Sequence, residues 1–496
     1  MVNGLIKKGG KGHMKTLFLM LTLLFALAAC GRGSTDSPDD AYCELPYEAS
    51  NDTVDYIPQT SSPPVSTEEP QYTTAPLERP PVPLPPPFED VFEPLIPRWV
   101  EGDAFQPEHF LCDFNYLMHT LRLNFPIFGP AYRRRSIDVD RIEAATIQAI
   151  LNNNPRTPEA FSLLLHRYFF SQFRHMGHLY QHWHERLHLV LANIYRYSMD
   201  EYGNIMFEYS RVIYEAMTAP AVVRFYGEII VDLGEYESGM IIPRNVITSI
   251  LVEGEVALIS VGQFNHYNIG HDKEIVFAFF EEIADYAHLI IDLRQNPGGF
   301  SHYFYEIFVE PNITSPLEWQ VFEFFSSGSN GRLFADAFIA DVLEQNPDGL
   351  TVSDNAAAFV AENSMRYFNQ DDLAMLQHVV TWHYRVDPTT EEKMFNGKIW
   401  ILVGPRSASA VESVAIFARE TGFATLVGEP TAGIMAAMSA YTLLPNSGIL
   451  VRYDLGYMTC SLGRSFEEFG VMPHHFNRPG LTALHTVLAL IEEGAY

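Results

Sequence analysis

Cysteine is scarce in this 496-residue chain: there are four in all, and no two form a Cys-x-x-Cys pair. A disulfide framework or a cysteine metal site is therefore not expected. Positive charge is scarce too, with 32 Lys and Arg against 61 Asp and Glu and a formal charge of −29. A surface of that sign repels nucleic acid and anionic lipid, so neither is expected as an electrostatic partner. No lysine follows Lys398, no internal repeat is evident, and no apolar run after residue 29 is long enough to cross a bilayer.

What is present begins with a sorting signal. Lys7, Lys8, Lys11 and Lys15 precede an apolar run from Leu17 to Ala29, which ends in Leu27-Ala28-Ala29-Cys30-Gly31. The run is too short for a stable membrane anchor and matches the lipobox of a bacterial lipoprotein. Residues 1–29 are read as the signal peptide, Cys30 as the lipidated residue, and the mature chain as extracytoplasmic and held to the membrane by lipid. Loss of four lysines makes the remainder more acidic still, and three cysteines are left, an odd number. Residues 30–98, including the stretch ERPPVPLPPPFEDVFEPLIP, are dense in Pro, Ser, Thr and acids. Such a segment buries too little apolar surface to fold and reads as an extended tether.

Beyond the tether the pattern turns helical. Phe114, Leu117, Met118 and Leu121 recur on one face, Phe161, Leu164, Leu165, Tyr168 and Phe169 on another, and Thr157-Pro158-Glu159 is a helix start. Residues 99–200 are thus read as an N-terminal helical module and 201–496 as a second domain. From Val222 to Phe264 the chain reads as strands, VALISVGQF being the clearest.

Three later segments carry chemistry. Leu289 to Leu293 is a buried-strand pattern that runs into Asn296-Pro297-Gly298-Gly299, where two glycines let backbone N–H groups approach a ligand. Ile399 to Val403 is a second such strand, followed by Ser407-Ala408-Ser409-Ala410-Val411-Glu412. Either serine is placed to cap the helix spaced by Val411, Val414, Ala415 and Ala418. A hydroxyl at a helix start sits beside free N–H groups, which suits a nucleophile whose product is an oxyanion. The third segment is Val427 to Gly433, VGEPTAG.

In this order, with the later Glu467 to Pro473 (ExxGVxP), these motifs resemble the tail-specific (C-terminal processing) and tricorn-type serine peptidases. The resemblance spans roughly Phe110 to Phe476. It implies an α/β fold, a crotonase/ClpP-like spiral of ββα units behind the helical module, and cofactor-free serine peptidase chemistry on a peptide or protein. It further implies Ser409 as nucleophile and an oxyanion hole from Ala410 with Gly298 or Gly299. The lysine base of the tail-specific branch would fall at Ile434 and is excluded. The histidine-using branch implies His178, in Met176-Gly177-His178-Leu179, as general base and Glu467 as its orienter, with Glu468 one residue away. Met176 departs from the usual acid at that place, and His474 from the usual Asp. The peptide-binding PDZ module of the tail-specific branch is not expected, since its usual GDxIxxING segment is absent.

Two other readings compete. His184-Glu185-Arg186-Leu187-His188 is a literal HExxH, with Glu208 at a plausible third-ligand distance, although one such match in a chain with 18 histidines is weak evidence for zinc. A non-catalytic homologue that binds peptide or an apolar ligand is the other.

Overall fold

Helices come first. The computed structural model describes residues 105–494, apart from 175, 201–202, 228–241, 327 and 436–437. The signal peptide, Cys30 and the tether lie outside these residues, as do positions 99–104. Helix α1 (Pro107–Asn124) takes Pro at its first position and buries Phe110, Phe114, Leu117 and Leu121 along one stripe. After α2 (Phe128–Arg135) and α3 (Val139–Asn153), α4 (Pro158–Tyr168) starts where Thr157 accepts the Ala160 N–H at 3.2 Å. Phe161 of α4 stacks on Phe110 at 4.6 Å, and burial of each such ring contributes ~1.5–3 kcal/mol.

A two-residue strand β1 (Tyr180–Gln181) follows, then α5 (His184–Asn193), α6 (Glu208–Thr218) and α7 (Pro220–Tyr226). The strand reading from Val222 fails at α7. Pro220 fixes the first helical turn and Val222 is fully buried, so packing overrides the β preference of Val222-Val223.

The remaining chain alternates strands and helices. In order these are β2 (Val246–Val252), β3 (Val256–Val261), α8 (Ile269–Glu282), β4 (His288–Asp292), α9 (Ser301–Phe304) and β5 (Leu317–Ser326). Next come α10 (Ser329–Gln345), β6 (Leu350–Ser353), α11 (Ala356–Glu362), β7 (Leu376–Val386), β8 (Lys398–Val403) and α12 (Ala410–Thr421). The last are β9 (Thr425–Gly428), β10 (Ser439–Leu443), β11 (Leu450–Asp454), β12 (Gly456–Thr459), α13 (Phe466–Phe469), β13 (His475–Phe476) and α14 (Ala483–Glu492).

Three sheets result. The largest runs β13-β9-β8-β4-β3-β2, parallel throughout except for β2. Its central strands are buried on both faces, as continuous apolar runs such as Leu289-Ile290-Ile291 require. Ile290, Trp400, Leu402 and Val427 face α14, whereas Leu289, Ile291, Ile401 and Leu426 join the main core with Val411 and Val414 of α12. The other two sheets, β12-β5-β7-β6 and β1-β11-β10, are antiparallel. This mixed α/β architecture behind a helical N-terminal region agrees with the fold class the motifs imply. Cys460 is a free thiol.

Candidate active site

Adjacent parallel strands β3, β4 and β8 end at one edge of the large sheet and deliver three loops there. Crevices at the carboxyl ends of parallel strands are where such sheets bind ligands. The β4 loop carries Gly298 and Gly299, and the β8 loop carries Ser407 and Ser409. Asn296, fully buried, ties the loops together. Its side chain donates to the Val261 carbonyl at 3.2 Å and accepts the Gly298 N–H at 2.8 Å, while its carbonyl accepts the Ala408 N–H at 3.3 Å.

The two serines behave differently. Ser407 is buried and its hydroxyl is committed, donating to the Leu293 carbonyl at 2.8 Å and accepting the Gly404 N–H at 3.0 Å. Ser409 is half-buried, stands at the N-cap of α12, and makes no capping hydrogen bond with its hydroxyl. Its backbone, at φ 56° and ψ −117°, lies where side-chain-bearing residues are strained. Strain of this kind persists where surrounding structure enforces it and clusters at functional sites. The enforcement is visible here: the Ser409 N–H donates to the Ile434 carbonyl at 3.1 Å and its carbonyl accepts the Glu412 N–H at 2.8 Å.

The glycine loop presses against this turn. A Cβ on Gly298 would come within 2.8 Å of the Ser409 Cβ and 3.0 Å of the Ala410 nitrogen. The Gly298 N–H is engaged by Asn296. Gly299 is bracketed by Phe264, whose N–H donates to the Gly298 carbonyl at 2.9 Å and whose carbonyl accepts the Phe300 N–H at 2.8 Å. A side chain there would lie 2.2 Å from the Phe264 oxygen, and φ is +126°. Among the described residues the N–H groups of Gly299 and Ala410 have no protein acceptor, which leaves two donors beside Ser409.

His178 is brought in by a different sheet, β1-β11-β10. The β1–β11 register pairs Tyr180 with Arg452, and continuing that register two residues sets His178 opposite Asp454. The imidazole Nδ1 lies 3.0 Å from Asp454 Oδ2, and the His178 N–H donates to the same oxygen at 2.7 Å. Gly177 makes this approach feasible: its φ is +63°, and a Cβ would stand 3.0 Å from that oxygen and 2.6 Å from Ile127. Asp454 is fully buried and also accepts the Ser439 hydroxyl at 3.0 Å. Burial alone would raise its pKa, but the adjacent His178 and Arg452 outweigh burial and hold it below the usual carboxylate value. Pairing with a carboxylate puts a proton on Nδ1. The ring's Nε2 is buried with no protein partner among the described residues, so no hydrogen bond joins it to the Ser409 hydroxyl. In unliganded sites such contacts often close only around substrate.

Glu467 makes no hydrogen bond with His178. It is fully buried, one oxygen accepts the Met435 N–H at 2.8 Å, and the other is unpartnered. Burial, followed by the negative charge of Asp454, pushes its pKa well above the ordinary 4.5. The carboxylate hydrogen-bonded to the imidazole is Asp454, where the motif implies Glu467. Glu468 pairs instead with Arg133 at 2.8 Å. Glu412 supports the nucleophile turn from below. It accepts the Thr431 hydroxyl and the N–H groups of Gly433 and Ile434 at 2.6 and 3.2 Å, and burial raises its pKa to about 7.

Sequence reasoning missed Asp454. Its signal was a single acid inside the buried strand Leu450-Val451-Arg452-Tyr453-Asp454, a place where an unpaired carboxylate is costly. In the HERLH segment, His184 and His188 lie on α5. Glu208 is paired with Arg211, and no set of three possible ligands converges among the described residues.

Residues 255–475, the segment holding every nucleophile-side element above, match peptidase family S41. That segment is similar to the peptidase domain of this family. The Chlamydia pneumoniae protein CPj1016/CpB1054 is 23% identical over 229 residues, which is 41% of this chain and 36% of that protein. This chain therefore spans about a third of the length of that relative. Among solved structures, mature CPAF complexed with lactacystin aligns at 12% identity over 75% of this chain and 94% of its own, with a TM-score of 0.43. A lipoprotein from Streptococcus agalactiae aligns at 10% identity over 78% of this chain and 96% of its own, with a TM-score of 0.38.

Proposed function

We propose that this protein is a lipid-anchored, extracytoplasmic serine endopeptidase with Ser409 as nucleophile, His178 as general base and Asp454 as the residue that orients His178. The observation that carries the reading is Ser409 itself, an uncapped serine in an enforced backbone strain between two free N–H donors. An isolated serine hydroxyl is barely nucleophilic at neutral pH, so the base is indispensable.

In the reaction Ser409 Oγ bonds to the scissile carbonyl carbon while its proton passes to His178 Nε2. The carbonyl oxygen becomes an anion held by the N–H groups of Gly299 and Ala410. Collapse breaks the C–N bond, His178 gives the proton to the departing amine, and an ester on Ser409 remains. Water, deprotonated by the same imidazole, then releases the acid product and restores the serine. Asp454 holds the Nδ1–H and stabilises the imidazolium between these steps. Anchoring rests on Cys30, whose lipid would keep the enzyme at the membrane with the Pro-rich segment as spacer.

A fluorophosphonate–fluorophore probe tests the chemistry. Wild type should label, and Ser409→Ala should lower labelling and peptide hydrolysis by about 10⁴ or more. A wild type that never labels while its fold is intact would favour the non-catalytic, peptide-binding reading. Incorporation of labelled palmitate, lost in Cys30→Ala, tests the anchor.

A further inference from the structure

We infer that Asp272, acting through Asn245 and Tyr303, is the positioning residue that aims the Gly299 N–H of the oxyanion hole. The inference rests on the reading of Gly299 and Ala410 as oxyanion donors.

Asp272 lies on α8, is 1% exposed, and belongs to no motif. Its carboxylate accepts the Tyr303 hydroxyl at 2.6 Å, the Asn245 amide at 2.7 Å and the Asn268 amide at 3.3 Å. All three partners are neutral, so a buried charge is held by dipoles alone. An apolar side chain of like volume would make a more stable core at this point, but it would fix no directions. The directions matter because of what the partners hold.

Asn245 uses both ends of its amide on one backbone unit. It donates to the Gln263 carbonyl at 2.8 Å and accepts the Gln263 N–H at 2.9 Å, as a neighbouring strand would. Its second amide proton goes to Asp272, which fixes the plane of the group. Gln263 is joined directly to Phe264, the residue whose N–H and carbonyl bracket Gly299. Tyr303 reaches the same residue by another route. Its ring stacks on Phe264 with centroids 5.5 Å apart and planes 21° apart, while its hydroxyl is tied to Asp272. Burial and the Asp272 charge push the phenol well above its usual pKa, so it remains a donor.

One carboxylate thus controls Phe264 from two sides, its backbone through Asn245 and its ring through Tyr303. Gly299 lies against the Phe264 oxygen so closely that no Cβ fits, and any tilt of Phe264 carries the Gly299 N–H with it. An oxyanion donor acts only when its hydrogen points at the developing charge, and small misplacements are expensive in rate.

Asp272→Asn and Tyr303→Phe test this in the full-length protein, with the fluorophosphonate probe at increasing concentration to separate binding from reaction. The maximal labelling rate should fall on the order of tenfold to a hundredfold for Asp272→Asn and less for Tyr303→Phe. The half-saturating probe concentration, the final stoichiometry of one probe per chain and the pH at which the rate rises should stay as in wild type. A purely structural role would lower the labelled fraction and leave the rate of that fraction unchanged, which would overturn the inference, as would wild-type rates in both variants. Should Asp272→Asn fail to fold, Tyr303→Phe decides by the same readouts. If wild type itself does not label, the catalytic reading falls and this inference with it; normal rates in the variants sink this inference alone.

Discussion

The site has two halves, and they are built on opposite principles. The nucleophile half is local in design: Ser407, Ser409, Gly298 and Gly299 sit in loops that leave neighbouring parallel strands, and each is fixed by contacts between those loops. The base half is assembled at long range. His178 and Asp454 are 276 residues apart and meet only because a two-residue strand docks on β11. In the first half the backbone is the machinery and the carboxylate Glu412 is scaffolding. In the second, a charged carboxylate faces the imidazole of the proposed base. A buried acid can therefore play either part, and its partners decide which: Asp454 has an imidazole and Arg452 nearby, whereas Glu467 and Glu412 have mainly N–H and hydroxyl donors.

The sharpest way to break this comparison is Asp454→Asn. With the anion gone, Nδ1 loses its fixed proton, and the labelling rate at neutral pH should fall on the order of 10²- to 10⁴-fold, measured alongside thermal unfolding. A fall of less than tenfold in a folded variant would show that the base half does not depend on Asp454.

A smaller effect is expected in the nucleophile half, in stability with pH. The folded pKa of Glu412, about 7, lies above the ordinary 4.5, so below pH 4.5 both folded and unfolded chains are protonated and the contribution is fully present. As pH rises from 4.5 to 7 the unfolded chain ionises first and stability is lost, to a limit of ~3 kcal/mol, after which it levels off. Glu412→Gln cannot ionise, so its stability relative to wild type should rise over that window in urea unfolding at pH 5 and pH 8.

The smallest effect is expected from Glu467→Gln. If Glu467 is neutral and only holds the Met435 N–H, an amide oxygen replaces it and labelling should stay within about fivefold of wild type. A loss comparable to that of Asp454→Asn would restore Glu467 as the orienting anion.

The same division explains what could be read from the chain in advance. The nucleophile half was legible because strand, turn and helix start are contiguous: Leu289 to Gly299 and Ile399 to Glu412 each encode an element together with the loop that leaves it. The choice of Ser409 over Ser407 came from the resemblance alone, since locally it depends on which hydroxyl finds the Leu293 carbonyl. His178 was legible as a candidate through its motif alone. Its partner was not, because a two-residue strand carries no periodicity and the 180-to-452 register appears only once the third sheet forms. The surroundings of Glu467 were hidden for a related reason. Phe466-Glu467-Glu468-Phe469 has the look of a short exposed helix, yet the first carboxylate is turned inward to the Met435 N–H and the second outward to Arg133. At Val222 the local preference for strand was real and was overridden by a helix start and a core contact.

One consequence follows from the brevity of β1. Two residues of ladder, together with the His182 N–H on the Leu450 carbonyl at 2.8 Å, are the backbone attachment of the segment that presents His178. Loss of those few bonds would part His178 from Asp454 without breaking a single pair of the sheet that carries Ser409, so the proposed base and the proposed nucleophile rest on separate ladders.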